Sequence, residues 1–187
     1  MSKTVKILII AVTLLIISVI YVVSKYNKMA VMDESIKTAW SQVDVQLQRR
    51  YELIPNLVET VKGYAAHEKE VFIQVTEARS KVGGATTIPD KIASNTALTS
   101  ALSKLLLVVE RYPDLKANEN FIRLQDELAG TENRIAVERR RYNDTVKEFN
   151  QYIRRVPQLF FARFFGFKVS TYFEAPAEAD SAPKVQF

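Results

Sequence analysis

Residues 7–23 read ILIIAVTLLIISVIYVV, seventeen positions without a charge, glycine or proline. Lys3 and Lys6 precede the run and Lys25 and Lys28 follow it. As a helix it measures about 26 Å, near the short end of what crosses a hydrocarbon core of about 30 Å. Snorkelling lysine stems make up the difference. A cleaved signal peptide is the competing reading, but the run ends on bulky Ile20, Tyr21, Val22 and Val23 with no small-residue cleavage site. A buried core helix would keep a polar face, and here only Thr13 and Ser18 are polar. The pattern predicts an uncleaved transmembrane anchor over residues 1–24.

Beyond the anchor, apolar residues recur at spacings of three and four. Ile36, Trp40, Val43, Leu47, Tyr51, Ile54, Val58 and Val61 form one stripe, with Asp44, Gln48, Glu52 and Glu59 opposite. Pro55 removes a donor and crowds the Tyr51 carbonyl. It predicts either a kinked helix or a tight turn with Pro55 opening a new helix. The stripe continues through Val71, Val75 and Ala78 to a loop at residues 82–87. Pro89-Asp90 opens a helix with Ile92, Leu98, Leu102, Leu105, Leu106 and Val109 on its buried side. Tyr112-Pro113-Asp114 ends it, and a last long helix is predicted over residues 115–155. Its stripe is Phe121, Leu124, Leu128, Ile135, Tyr142, Val146, Phe149 and Ile153. The fold class expected is all-α: a transmembrane helix, then an antiparallel bundle of three to four long helices over residues 25–156. The Phe-rich residues 157–174 follow. Residues 175–187, rich in Ala and Pro, predict a disordered tail.

Composition narrows the chemistry. Gly is 5 and Pro is 6 in 187 residues, too few for many short elements. A net charge of +5 suits a solvated face or proximity to anionic lipid better than a nucleic-acid site. Zero cysteines exclude disulfides, thiolate metal sites, thiol nucleophiles and lipoprotein acylation. One histidine, His67, in a charged stretch read as helix, leaves no His-based zinc motif. No metal, cofactor or catalytic residue is expected. The Arg139-Arg140-Arg141 triplet passes around a helix and reads as solvation. Glu132 and Glu138, six apart, lie on different faces and make a poor catalytic pair.

Two blocks resemble the bacterial LemA family: AWSQVDVQLQRRYELIPNLVETVKGYAAHE over 39–68, and YPDLKANENF over 112–121 leading to LQDELAGTENRIAVERRRYN over 124–143. Gly166-Phe167 and Tyr172-Phe173-Glu174 resemble its C-terminal signature. The likeness spans about residues 26–174. It departs at Val156-Pro157, where the family often has Phe-Pro. The resemblance makes Trp40, Pro55, Asn56, Asn133, Arg134, Tyr172 and Phe173 structural motif positions. It implies an anchored antiparallel bundle with no established enzymatic activity or cofactor. Relatives in magnetosome-forming bacteria help build an internal membrane. Others neighbour a membrane metalloprotease gene, which implies a membrane protease as one candidate partner. Relatives with a lipoprotein signal favour an extracytoplasmic domain on the bacterial inner membrane. The flanking lysines alone leave the side open.

Three segments are candidates for function. Leu53-Ile-Pro-Asn-Leu57 frees the Tyr51 carbonyl for a partner or a bend, unless Asn56 simply bonds the kink. Thr131-Glu132-Asn133-Arg134 interrupts the apolar seam and predicts a polar layer reaching Gln46 or Asn95. After Arg154 and Arg155, residues Phe160, Phe161, Arg163, Phe164, Phe165, Phe167 and Lys168 mix rings with cations. They read as a bilayer contact, a cap on the bundle end, or a docking patch. The functions weighed are a non-enzymatic scaffold or adaptor binding proteins or its own copies, membrane remodelling through the Phe-rich segment, and an unrecognised hydrolase.

Overall fold

The computed structural model describes residues 2–173. The predicted tail at residues 175–187 lies outside them. The described residues form six helices and no strand: α1 Lys3–Lys62, α2 Lys69–Gly84, α3 Ile88–Val109, α4 Pro113–Lys116, α5 Glu119–Arg154 and α6 Gln158–Phe165. The chain divides into two compact units, residues 2–40 with 141–172, and residues 41–140 with Phe173.

The second unit is an up-down-up-down bundle. α2 returns along α1, since Lys62 lies over the Phe72 ring while Arg79 lies over Tyr51. α3 returns along α2, with Lys104 Nζ donating to Gln74. α5 closes the set opposite α1 through Arg50 and Glu132. The predicted stripes meet in one core of Ile54, Val58, Val61, Val75, Leu98, Leu102, Leu105, Phe121 and Leu128, joined by Leu57 and by Phe72, which takes the inward place expected of the half-buried Val71. Leu105→Ala-type truncations of so complete a burial cost about 2–5 kcal/mol.

Pro55 lies inside α1, so the turn alternative is excluded. The orphaned Tyr51 carbonyl is satisfied from α2: Arg79 Nε donates to it at 3.4 Å, and the guanidinium stacks 4.0 Å above the Tyr51 ring. Truncating Arg79 to alanine is expected to cost about 1–3 kcal/mol. In a Pro55→Ala background residue 55 regains an N–H for Tyr51, and the same truncation should cost about half as much. Paired thermal melts in detergent read this cycle.

Three boundaries differ from the sequence reading. Residues 63–68 break the helix that the stripe carried through. Tyr64 and Ala65 N–H groups both fold onto the Val61 carbonyl, and His67 sits in this exposed turn rather than in a helix. The stripe resumed in phase after the break, which concealed it. The long last helix also starts later than residue 115. Pro113–Lys116 is a separate turn of helix, and Asn118 Oδ1 accepts from Phe121 N–H to cap α5. The expected loop at 82–87 shortens to 85–87, because α2 continues through Gly84. There Thr87 accepts from Asp90 N–H and donates to its carboxylate, capping α3.

The first unit joins the N-terminal part of α1 to the end of α5, antiparallel. Trp40 packs edge-on against Tyr142 at 5.4 Å, and Lys28 lies 4.7 Å over the Tyr152 ring. Met29, Ile36, Val146, Phe149 and Ile153 are buried between them. The chain after α6 is pinned to α5. Asn150 donates to the Ser170 carbonyl and accepts from the Ser170 N–H, at 2.9 and 2.8 Å. Tyr142 donates to the Thr171 carbonyl at 2.8 Å, and burial raises its phenol above the ordinary value.

Candidate functional site

The predicted polar layer exists, but its centre is a residue the sequence reading passed over. Arg50 is 2 % exposed. Its NH1 donates to Glu132 at 2.6 Å and to Thr99 at 3.0 Å. Its NH2 donates to the Asn95 side chain at 2.6 Å and to the Asn95 carbonyl at 3.3 Å. Asn95 in turn donates to the Lys91 carbonyl. The guanidinium fork thus ties α1 to α3 and α5 through four hydrogen bonds, one more than an ammonium can donate. Gln46, the other expected partner, stays out, its buried Oε1 making no hydrogen bond. Burial lowers the Arg139 guanidinium from its ordinary value; Glu132 opposes this and Arg50 adds to it. One carboxylate therefore faces two guanidiniums. The available signal was spacing: Arg50 stands three after Leu47 and four before Ile54, as much on the seam as Tyr51.

Of the predicted layer, Thr131 is buried and Glu132 half-buried, while Asn133 and Arg134 are exposed. Four consecutive helical residues sweep through all directions, so only part of the stretch could face inward. Glu132, the carboxylate of the hydrolase reading, is committed to Arg50. A neighbouring cleft of about 330 Å³ is lined by Asp44, Gln48, Tyr51, Lys91 and Asn95 among others. Lys91 Nζ donates to both Asp44 oxygens at 2.7 and 2.8 Å, so its charges pair with each other. Its lining includes no serine, cysteine or histidine. Among the described residues no group of three His, Cys, Asp or Glu could hold a metal ion.

The second candidate is the aromatic and cationic region of the first unit. α6 ends at Gly166, whose φ of +80° is left-handed. Phe167 N–H reaches back to the Ala162 carbonyl at 2.9 Å, which turns the Phe167 ring inward. Phe161 packs on Tyr21 at 6.1 Å, while Phe165 and Phe167 pack on Tyr26 at 5.0 and 5.8 Å. Phe167 also meets Phe149. Phe160 and Phe164 point away and are 62 % and 83 % exposed. Arg163 and Lys168 are exposed as well. The segment therefore divides: Phe161, Phe165 and Phe167 line α1, and Phe160 and Phe164 face outward.

The other motif positions take structural places. Trp40 packs on Tyr142. Asn56 is exposed one residue after Pro55, and Tyr172 is exposed. Phe173 is buried, with the Arg139 guanidinium 4.3 Å over its ring. The apolar run of α1 has the length and composition of a membrane span, and none of it is buried. α3 also has that length and composition, but its Leu98, Leu102, Leu105 and Val109 lie in the bundle core.

The model of the LemA family matches residues 39–187. Magnetosome protein MamQ 2 of Paramagnetospirillum magneticum is 28% identical over 201 residues, covering 90% of this chain and 74% of the relative. Magnetosome protein MamQ of Magnetospirillum gryphiswaldense is 27% identical over 180 residues, covering 82% and 66%. Protein LemA of Metamycoplasma hominis is 29% identical over 134 residues, covering 70% and 60%.

Proposed function

The chain belongs to the LemA family, and on that premise we propose that it is a non-enzymatic, single-pass membrane-anchored scaffold or adaptor of the bacterial cell envelope. The observation that carries the proposal is the exposed apolar run at the start of a helix that continues into a tightly packed bundle. The fifteen apolar positions of the run, nearly all exposed, need lipid. The bundle, in contrast, spends its polar interior on holding helices together, as the Arg50 layer does. The MamQ likeness supports a role at or in the organisation of a membrane. On this reading the helical domain presents its outer faces to protein partners or further copies of itself, a membrane protease being one class of partner.

Crosslinking in native membranes followed by mass spectrometry tests this. Reproducible adducts to a membrane protein or to a second copy are expected. Monomers alone, both there and by size in mild detergent, would overturn the scaffold reading. The extracytoplasmic side is tested separately. Asp144→Cys on the exposed face of α5 should react with an impermeant maleimide in intact cells; labelling only after lysis places the domain inside.

A further inference from the structure

We propose that α6 is an interfacial foot: Phe160 and Phe164 seat in the acyl boundary of an anionic leaflet, with Arg154, Arg155 and Arg163 among its headgroups. The inference rests on the membrane-anchored reading above and deepens it by naming a second lipid contact.

Height along α1 is the first argument. Tyr21 belongs to the last turn of the apolar run, and Phe161 packs against it. Tyr26, one turn further on, holds Phe165 and Phe167. α6 is therefore fixed where the span leaves the hydrocarbon. Its other side carries Phe160 and Phe164, four apart and so neighbours on the helix surface. At 62 % and 83 % exposed they keep most of their surface open, with Phe164 meeting Phe165 edge-on. Apolar rings at the end of a span, on a short helix with a cationic flank, have the chemistry of an interfacial segment.

Charge is the second argument. No Asp or Glu occurs over residues 2–32 or 154–173. Lys25 and Lys28 on α1 add to the cations of the foot. A belt of one sign at the level of the headgroups complements phosphatidylglycerol-type lipid. It also disfavours a second copy as the occupant, because a two-fold contact would bring the same cations face to face.

The chain has no cysteine, so single nitroxide labels report cleanly on the full-length protein in nanodiscs. Labels at Phe164→Cys, at Leu14→Cys in the middle of the span and at Asp144→Cys in water are compared by their oxygen-to-nickel-chelate accessibility ratio. In phosphatidylcholine with phosphatidylglycerol, the Phe164 label should read several-fold above the Asp144 label and approach the Leu14 label. The ratio should fall toward the Asp144 value in pure phosphatidylcholine, and in an Arg154→Gln/Arg155→Gln/Arg163→Gln variant. If the Phe164 label stays as nickel-accessible as Asp144 while Leu14 stays in lipid, the foot is disproved and the anchor stands. A Leu14 label open to nickel overturns the anchor reading itself. Equal depth in both lipid mixtures removes the headgroup part. Dipolar broadening between Phe164 labels would assign the face to a second copy instead.

Discussion

Replacing Glu132 with alanine should lower the unfolding free energy by about 2–3 kcal/mol. The reason is what remains. Arg50 has a side chain only 3 % exposed, and Glu132 is its carboxylate. Without Glu132 a buried cation keeps only the neutral acceptors Thr99 and Asn95. The nearby Arg139 loses the same counter-charge. Breaking a fully buried pair typically costs about 3–5 kcal/mol. The Glu132 side chain is 40 % exposed, so water already screens part of the attraction and the lower figure applies. For a chain of this size the loss corresponds to a fall in melting temperature of about 5–10 °C, read by circular dichroism in detergent. Adding Arg50→Met to Glu132→Ala should recover at least half of the loss, because an apolar side chain leaves no charge to satisfy. If the double variant is as unstable as the sum of its parts, the layer is not held together by the ion pair.

The second large effect concerns the anchor. Leu14→Arg with Leu15→Arg places two cations near the middle of the apolar run. Each costs about 3 kcal/mol at a helix centre, whereas the Ile, Leu and Val residues of the run together contribute about 5 kcal/mol in favour. The balance reverses. The variant is expected to move from the carbonate-resistant membrane fraction to the soluble or extractable one, with the helix content of the bundle retained. A variant still resistant to carbonate would mean that some other contact, α6 or a partner, holds the protein to the bilayer by itself.

The two substitutions differ in how far the sequence forewarned of them. The apolar run needs no partner to be recognised: its meaning lies in its length and its uniform lack of charge. The seam positions are similar, because one helix has one period and Leu47, Ile54, Leu128 or Ile135 must share a side whatever packs there. Caps are equally local, as Pro89-Asp90 showed. The turn at residues 63–68 escaped because phase is the signal, and Val71 and Val75 resumed it. Arg50 escaped for another reason. A charge on a seam is interpretable only when its partner is known, and Glu132 lies 82 positions away.

The chain's local order thus dictated a lipid-length rod, helices with one greasy stripe each, and where most of them begin. Tertiary structure alone decided which polar groups meet. It joined Arg79 to the Tyr51 carbonyl that Pro55 left open, gathered Thr99, Asn95 and Glu132 around Arg50, and separated the phenylalanines of α6 into those that line α1 and those that face outward. The physical reason is range: periodicity and capping act within a few residues, whereas the burial of a charge or a ring depends on segments that only folding brings together.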